Sequence, residues 1–315
     1  MLTLDDVRAA RETIGGRLHR TPTFTSRTLS QWIGADVRLK AELFQVTGSF
    51  TPRGVLTKLA SLTPDEKAAG VLAISAGNHA QAVAWAAASE GIDALVVMWR
   101  GASEQKIAAA MEYGASVDTE ASGSPEAFER LEQLTRETGR TLVHPFDDPL
   151  VQAGQGTVAL ELLEDAPETT TIVVPVGGGG LISGIAAAAA GRAHVVAVEP
   201  EQSPALHEAL LAGEPVAVHP TSIADGLGAP FAGRSAVAAC VEYGIESVLV
   251  TETEIEEGFR FLYQRAKLAA EPAGAAAVAA LLAGKVPLDG GSTVTAIVSG
   301  GNVAAETAVA ILARL

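Results

Sequence analysis

The chain has 315 residues, 48% hydrophobic and 4% aromatic, with Lys+Arg 22 against Asp+Glu 37 and a net charge of -15. Its length predicts one large or two closely joined domains, packed mainly by Ala, Val, Leu and Ile. Its acidity argues against nucleic acid or an anionic membrane as partner, though a local basic pocket can still hold an anion.

The single cysteine, Cys240, excludes an intramolecular disulfide and fits a reducing cytosol. The start, Met1 to Arg8, has no basic stretch followed by an apolar one, so no signal peptide is expected. The Ala-rich runs near residues 186–190 and 275–283 are too short to span a bilayer.

Thr3 and Asp6 have capping-box spacing ahead of a helix that should end at Gly15 and Gly16. A helix over 29–33 stops at Gly34, and a strand over 36–43 follows. Next comes Gln45-Val-Thr-Gly-Ser-Phe-Thr-Pro-Arg-Gly54, read as a strand end, a tight turn and a helix start. Ser49 is the expected N-cap there, with Pro52 in the first turn.

From residue 71 the rhythm is regular. Strands are expected at 71–75, 94–98, 116–119 and 141–143, alternating with helices that begin at 80, 104 and 124. A second series has a helix over 151–163, strand 171–176, a glycine run, helix 181–190 and strand 194–199. Strand 247–251, helices 254–268 and 273–283, strand 293–298 and a terminal helix complete the chain. Strands alternating with helices of this length imply crossover units and parallel sheets. The expected fold is therefore α/β, two lobes sharing one cleft, with the site at the carboxyl ends of the strands.

The strongest chemical signal is Val173-Val-Pro-Val-Gly-Gly-Gly-Gly-Leu-Ile-Ser-Gly184. Successive N–H groups without side chains can wrap a phosphate, and the helix N-terminus favours negative charge. No lysine follows, so a P-loop is not supported, and Ser183 breaks the dinucleotide pattern. The bland alternative is a turn packed closely on a neighbouring helix.

Ser75-Ala-Gly-Asn-His79 is a second strand-to-helix turn with exposed donors, suited to a small carboxylate or equally to an ordinary cap. Asn78 offers both a donor and an acceptor. Ser299-Gly-Gly-Asn302 ends an apolar strand and, alone, reads as a capped glycine turn. The histidines have no metal-ligand spacing, and no Gly-x-Ser-x-Gly elbow supports a hydrolase.

Together these motifs resemble the pyridoxal-phosphate-dependent serine/threonine dehydratases of fold type II, the tryptophan synthase β-like enzymes. The motif order agrees along nearly the whole chain, including His144-Pro-Phe-Asp-Asp-Pro149, Ala153-Gly-Gln-Gly-Thr157, Val198-Glu-Pro200, Ala224-Asp-Gly226 and Glu271-Pro-Ala-Gly274. The resemblance implies a large cofactor-binding domain, 1–69 plus 144–315, with a small inserted domain, 70–143.

It implies that Gly177, Gly178, Gly179 and Gly180 cradle the cofactor phosphate and that Phe50 stacks on the pyridine ring. Asn78 matches the group facing the ring hydroxyl and Ser299 the partner of the ring nitrogen. Gly226 and Glu271 line the cofactor pocket, and Ser75, Gly77, Asn78 and His79 grip the substrate carboxylate. The expected substrate is a hydroxy-amino acid such as L-threonine or L-serine, lost as a 2-oxo acid and ammonia, in a cytoplasmic homodimer.

Three positions depart from that pattern. Where the family keeps its Schiff-base lysine, this chain has Thr51, whose hydroxyl forms no Schiff base and is a poor base. Lys58, seven residues on, lies about 10 Å further along the helix axis, too far to substitute. Racemases of the family place a serine where this chain has Ala76, which favours a dehydratase. The family's divalent-cation site matches at Glu199 and Ser203, but its aspartate position is Ala205.

Three readings stay open. One is a dehydratase whose lysine has been replaced, leaving it impaired or trapping its intermediates. Another is a binding protein that holds the cofactor or an amino acid without turnover. The third, for which nothing else in the site looks rebuilt, is a lysine-free lyase of a different substrate with Thr51 or a water as acid/base.

Overall fold

The computed structural model describes residues 2–102 and 104–314. Its strands are β1 (Thr23–Thr25), β2 (Asp36–Ala41), β3 (Val71–Ile74), β4 (Ala94–Trp99), β5 (Ser116–Ala121), β6 (Thr141–Leu142), β7 (Thr171–Pro175), β8 (His194–Pro200), β9 (Glu246–Val250) and β10 (Thr293–Val298). They form a six-stranded sheet, β1-β2-β10-β7-β8-β9, and a four-stranded sheet, β5-β4-β3-β6. Every pairing is parallel except β1 with β2. The α/β class and the mainly parallel sheets are as expected.

The inner strands of each sheet, such as β3, β7 and β10, are buried on both faces because they are apolar at consecutive positions. In the large sheet, Ile172, Val174, Ala197 and Ile297 face one core, and Val173, Val196, Val198 and Ala296 face the other. The small sheet divides likewise: Val71, Ala73 and Val96 pack on one side, Leu72, Ile74 and Val97 on the other.

The first of these small-sheet cores also takes Val55, Leu56 and Leu59 from the helix Pro52–Ala60. The same helix packs against the helix Pro149–Asp165 of the larger lobe. The expected break at 69/70 thus falls after a helix that serves both lobes.

The Gln45–Gly54 stretch is anchored by Arg53. Its guanidinium is buried and donates to Glu42 at 2.8 and 3.0 Å and to Glu161 at 2.7 and 3.0 Å. Lys40, also buried, donates to Glu161 at 2.9 Å. Reaching Arg53 turns Glu42 inward, so β2 stops at Ala41 and a single 3-10 turn over Glu42–Phe44 follows, two residues before the expected strand end.

Other bounds differ for local reasons. The cap of Pro52–Ala60 is Thr51 rather than Ser49, with Pro52 at N1. The 254–268 helix is α only over Glu252–Phe261, continuing as a five-residue π turn, Leu262–Ala266, and ending at Lys267 with φ 60°. Short helices Pro64–Ala69, Ala205–Ala212 and Arg234–Glu242 fill stretches left unassigned. Among the described residues no helix is long and apolar enough to cross a membrane.

Candidate active site

A cavity of ≈ 280 Å³ lies between the lobes, above the carboxyl ends of β3, β4, β7 and β10. Phe50, Thr51, Ser75, Gly77, Asn78, His79, Gly177, Gly178, Gly179, Gly180, Gly226, Glu271 and Ser299 all line it. Residues far apart in the sequence therefore meet as the motif order implied.

The glycine loop joins β7 to the helix Gly180–Ala189. Gly179 sits at φ +93°, a conformation that side chains resist. A Cβ on Gly178 would meet the Phe146 ring at 2.2 Å, and one on Gly177 would stand 3.1 Å from Leu227 Cα. Both readings of the loop describe its geometry: it packs too closely for side chains, and it presents a helix N-terminus whose first N–H groups lack intrahelical partners.

Opposite it, the helix Asn78–Ser89 begins two residues earlier than expected, placing Asn78 and His79 in its first turn. Ser75 Oγ accepts the Gly77 N–H at 3.0 Å, holding the turn. Asn78 Nδ2 donates to Glu271 at 2.7 Å, and Asn78 Oδ1 accepts from Asn302 Nδ2 at 2.8 Å. Asn302 also donates to the Thr47 carbonyl at 2.8 Å. The expected donor and acceptor of Asn78 are thus largely engaged inside the chain, leaving one N–H for a ligand. Burial raises the Glu271 carboxyl to about 7, against the opposing hydrogen bond from Asn78.

His79 Nε2 lies 2.8 Å from the Val143 carbonyl oxygen, which only accepts, so Nε2 carries the proton. Burial lowers this imidazole to about 4. Its ring is neutral and offers a carboxylate no charge; the donors at this turn are backbone N–H groups and the Ser75 hydroxyl.

Thr51 is buried at the cavity wall, and its Oγ1 accepts from Ser49 Oγ at 3.1 Å. The Phe50 N–H donates to the Ser299 carbonyl at 3.1 Å, and Ser49 bridges to Gly300, which sets Thr51 beside the end of β10. Lys58 points elsewhere, pairing with Asp148 at 2.8 Å. Lys106 is the lysine among the described cavity residues, and it is paired with Asp225 across the lobes.

A family model described as "Pyridoxal-phosphate dependent enzyme" matches residues 15–300. The chain belongs to the pyridoxal-phosphate dependent enzymes.

Over 308 residues it is 42% identical to an L-threonine ammonia-lyase of Thermotoga maritima, covering 96% of this chain and 76% of that one. Over 312 residues it is 41% identical to a catabolic L-threonine dehydratase of Staphylococcus aureus, covering 96% and 90%. Among solved structures it resembles a threonine deaminase from T.th. at TM-score 0.88 and 39% identity, with 96% and 99% covered. It also resembles maize serine racemase at TM-score 0.93 and 34% identity, with 97% and 95% covered.

The cavity fits the family's cofactor except at one point. A glycine loop at a helix N-terminus suits the phosphate, and Phe50, Asn78 and Ser299 surround space for a ring. The aldehyde finds no amine at Thr51.

A divalent cation fits poorly at Glu199. Both its oxygens are taken, by the N–H groups of Leu206 and His207 at 2.7 Å each, and Ala205 has no ligand atom. Ser203 Oγ donates to the Leu227 carbonyl at 2.9 Å. Burial pushes the Glu199 carboxyl up to about 8. Among the described residues no cluster of three or more His, Cys, Asp or Glu is arranged for a metal.

Sequence reading did not single out Lys106, Gln81, Trp99 or Phe128, all of which line the cavity. Trp99 was reachable from pattern, since it lies at the carboxyl end of a parallel strand.

Proposed function

We propose that this protein is a pyridoxal-phosphate-dependent ammonia-lyase scaffold for a hydroxy-amino acid of the L-threonine or L-serine type, with turnover held back at Thr51. The observation that carries it is the placement of Thr51, buried in the cavity wall and ringed by an otherwise complete set of the family's motif residues. Gly177–Gly180 and their helix N-terminus would hold the phosphate, Phe50 would stack on the ring, and Ser299 would meet the ring nitrogen. When bound, the cofactor supplies an electron sink for charge developing at the α-carbon.

Around it, the chain's own groups bind and orient. Ser75 and the N–H groups opening the helix Asn78–Ser89 hold the carboxylate, and Asn78, braced by Glu271 and Asn302, fixes the ring's orientation. Ala76 lines the cavity without an ionisable group, which favours elimination over the racemase chemistry of the serine racemase neighbours. Thr51 can neither attach the cofactor nor accept a proton efficiently near neutral pH. The working unit is proposed to be a cytoplasmic homodimer, as the resemblance implies; light scattering tests its mass.

A second reading is favoured by the same residue: a binding protein that holds the cofactor or an amino acid without turnover. One pair of proteins separates the two. Thr51→Lys with pyridoxal phosphate and L-threonine or L-serine should gain the absorbance of a lysine-bound cofactor and release ammonia and 2-oxo acid. The parent should bind the cofactor, seen as a raised Tm, and turn over at least about a thousandfold more slowly. A lysine variant that binds cofactor yet releases no ammonia from any hydroxy-amino acid sinks the lyase reading and leaves the binding one.

A further inference from the structure

The cavity's other charged groups are on its rim. Lys106 comes from the helix Glu104–Glu112, which follows β4, and Asp225 from the 3-10 turn Asp225–Leu227 beside the glycine loop. Their ion pair joins the two lobes, and both residues line the cavity. Trp99 and Phe128 from one lobe, and Ala229 and Pro230 from the other, line the same cavity.

Part of the remaining polar lining is committed: Asn78, Glu271 and Asn302 bond to one another, and Ser75 Oγ accepts the Gly77 N–H. The pair is different. An ammonium has three donors and a carboxylate two acceptor oxygens, so one mutual bond leaves both with capacity to spare. Their side chains are 26% and 60% exposed, so the bond contributes little to stability and can be shared with a ligand.

Taking the site as an amino-acid site, we propose that Lys106 and Asp225 read the ligand's side chain, selecting a hydroxyl at its β-carbon. A ligand whose carboxylate sits at the 75–79 turn and whose amine faces the glycine-loop lobe turns its side chain towards the remaining wall. There a hydroxyl can donate to Asp225 and accept from Lys106, while an adjacent methyl rests on Trp99 and Phe128. An ethyl group in its place breaks into the pair's hydration and returns nothing. The pair is electrically balanced, which suits a neutral side chain over an acidic one.

Calorimetric titration of the pyridoxal-phosphate-saturated protein with L-threonine and L-2-aminobutyrate tests this, because the two differ only by the hydroxyl. The parent should bind threonine about five- to tenfold more tightly, the worth of one or two shared hydrogen bonds. Lys106→Met and Asp225→Asn should each bring that ratio close to one, with 2-aminobutyrate affinity held within about twofold. Lys106→Arg should keep most of the preference.

A preference that survives in both variants overturns the proposal. So does an equal loss for both ligands, which would make the pair a strut between lobes. If the parent binds cofactor but neither amino acid, the reading of the site fails together with this one. Parent binding without discrimination sinks only the side-chain role.

Discussion

Thr51 and Glu271 show how far one residue can set the chemistry of a shared scaffold. At Thr51 a hydroxyl stands where the resemblance implies an amine; it lies buried in the cavity wall at the N-cap position of its helix, without a capping hydrogen bond of its own. Glu271 stores an unfavourable charge instead. Its folded pKa of about 7 lies above the unfolded value, so the stability it lends is complete below the unfolded pKa and is lost as pH rises through 7. Glu199, raised to about 8, acts in the same direction.

The Tm of the protein should accordingly fall between pH 5 and pH 8. Glu271→Gln keeps an oxygen for the Asn78 N–H but cannot ionise, and should flatten part of that fall, by on the order of 3 kcal/mol. Thermal melts across this range check it; a variant with the parent's slope would show that Glu271 is ionised at little cost. The motif residues that line the cavity were legible in the sequence, because the motifs are turns with strict residue demands. The pairings that consume their hydrogen bonds were not, since Asn78, Glu271 and Asn302 come from three separate segments.

At the scale of elements, the site is positioned by helices that touch through glycine. The Ala153-Gly-Gln-Gly-Thr157 motif was legible as a family marker, yet its spacing says nothing about which helices approach. The structure supplies the reason for it: a Cβ on Gly154 would lie 2.3 Å from the Arg53 carbonyl oxygen, and one on Gly156 2.5 Å from that of Gly184. The helix Pro149–Asp165 is thereby clamped between the helix that opens after Thr51 and the one that opens after the glycine loop. The glycine loop and the Thr51 turn are held in register by one element.

Gly184→Ala tests this clamp, since its Cβ would meet the Gln152 carbonyl oxygen at 2.2 Å and the Gly156 nitrogen at 2.4 Å, with no flexible side chain to yield. The expected loss is about 2–3 kcal/mol in urea denaturation, together with weaker cofactor binding. A variant as stable as the parent would mean that the two helices can separate freely. Strand order was likewise illegible: β10 inserts between β2 and β7, a pairing fixed by packing and not by any local signal.

For the whole molecule, the two lobes were legible from the strand–helix rhythm, whereas their mutual dependence was not. Val55, Leu56 and Leu59 belong by sequence to the segment before the small lobe, but they complete the core beneath β3 and β4. A helix periodicity shows that a face is apolar and is silent on which sheet it covers. Because the shared helix starts at Thr51, loosening either lobe should reach the site. The protein should therefore unfold as one unit, with no intermediate in which the small lobe alone has melted.

The tryptophans allow that to be measured. Trp32 packs on Phe261 in the large lobe, while Trp85 and Trp99 belong to the small one. In a Trp32→Phe background, fluorescence follows the small lobe and far-ultraviolet circular dichroism the whole chain. Their urea transitions should coincide. Leu56→Ala, fully buried in the shared core, should shift both together by about 2–5 kcal/mol. Fluorescence that moves ahead of the dichroism would mean that the small lobe has its own stability and that the shared helix couples the lobes only weakly.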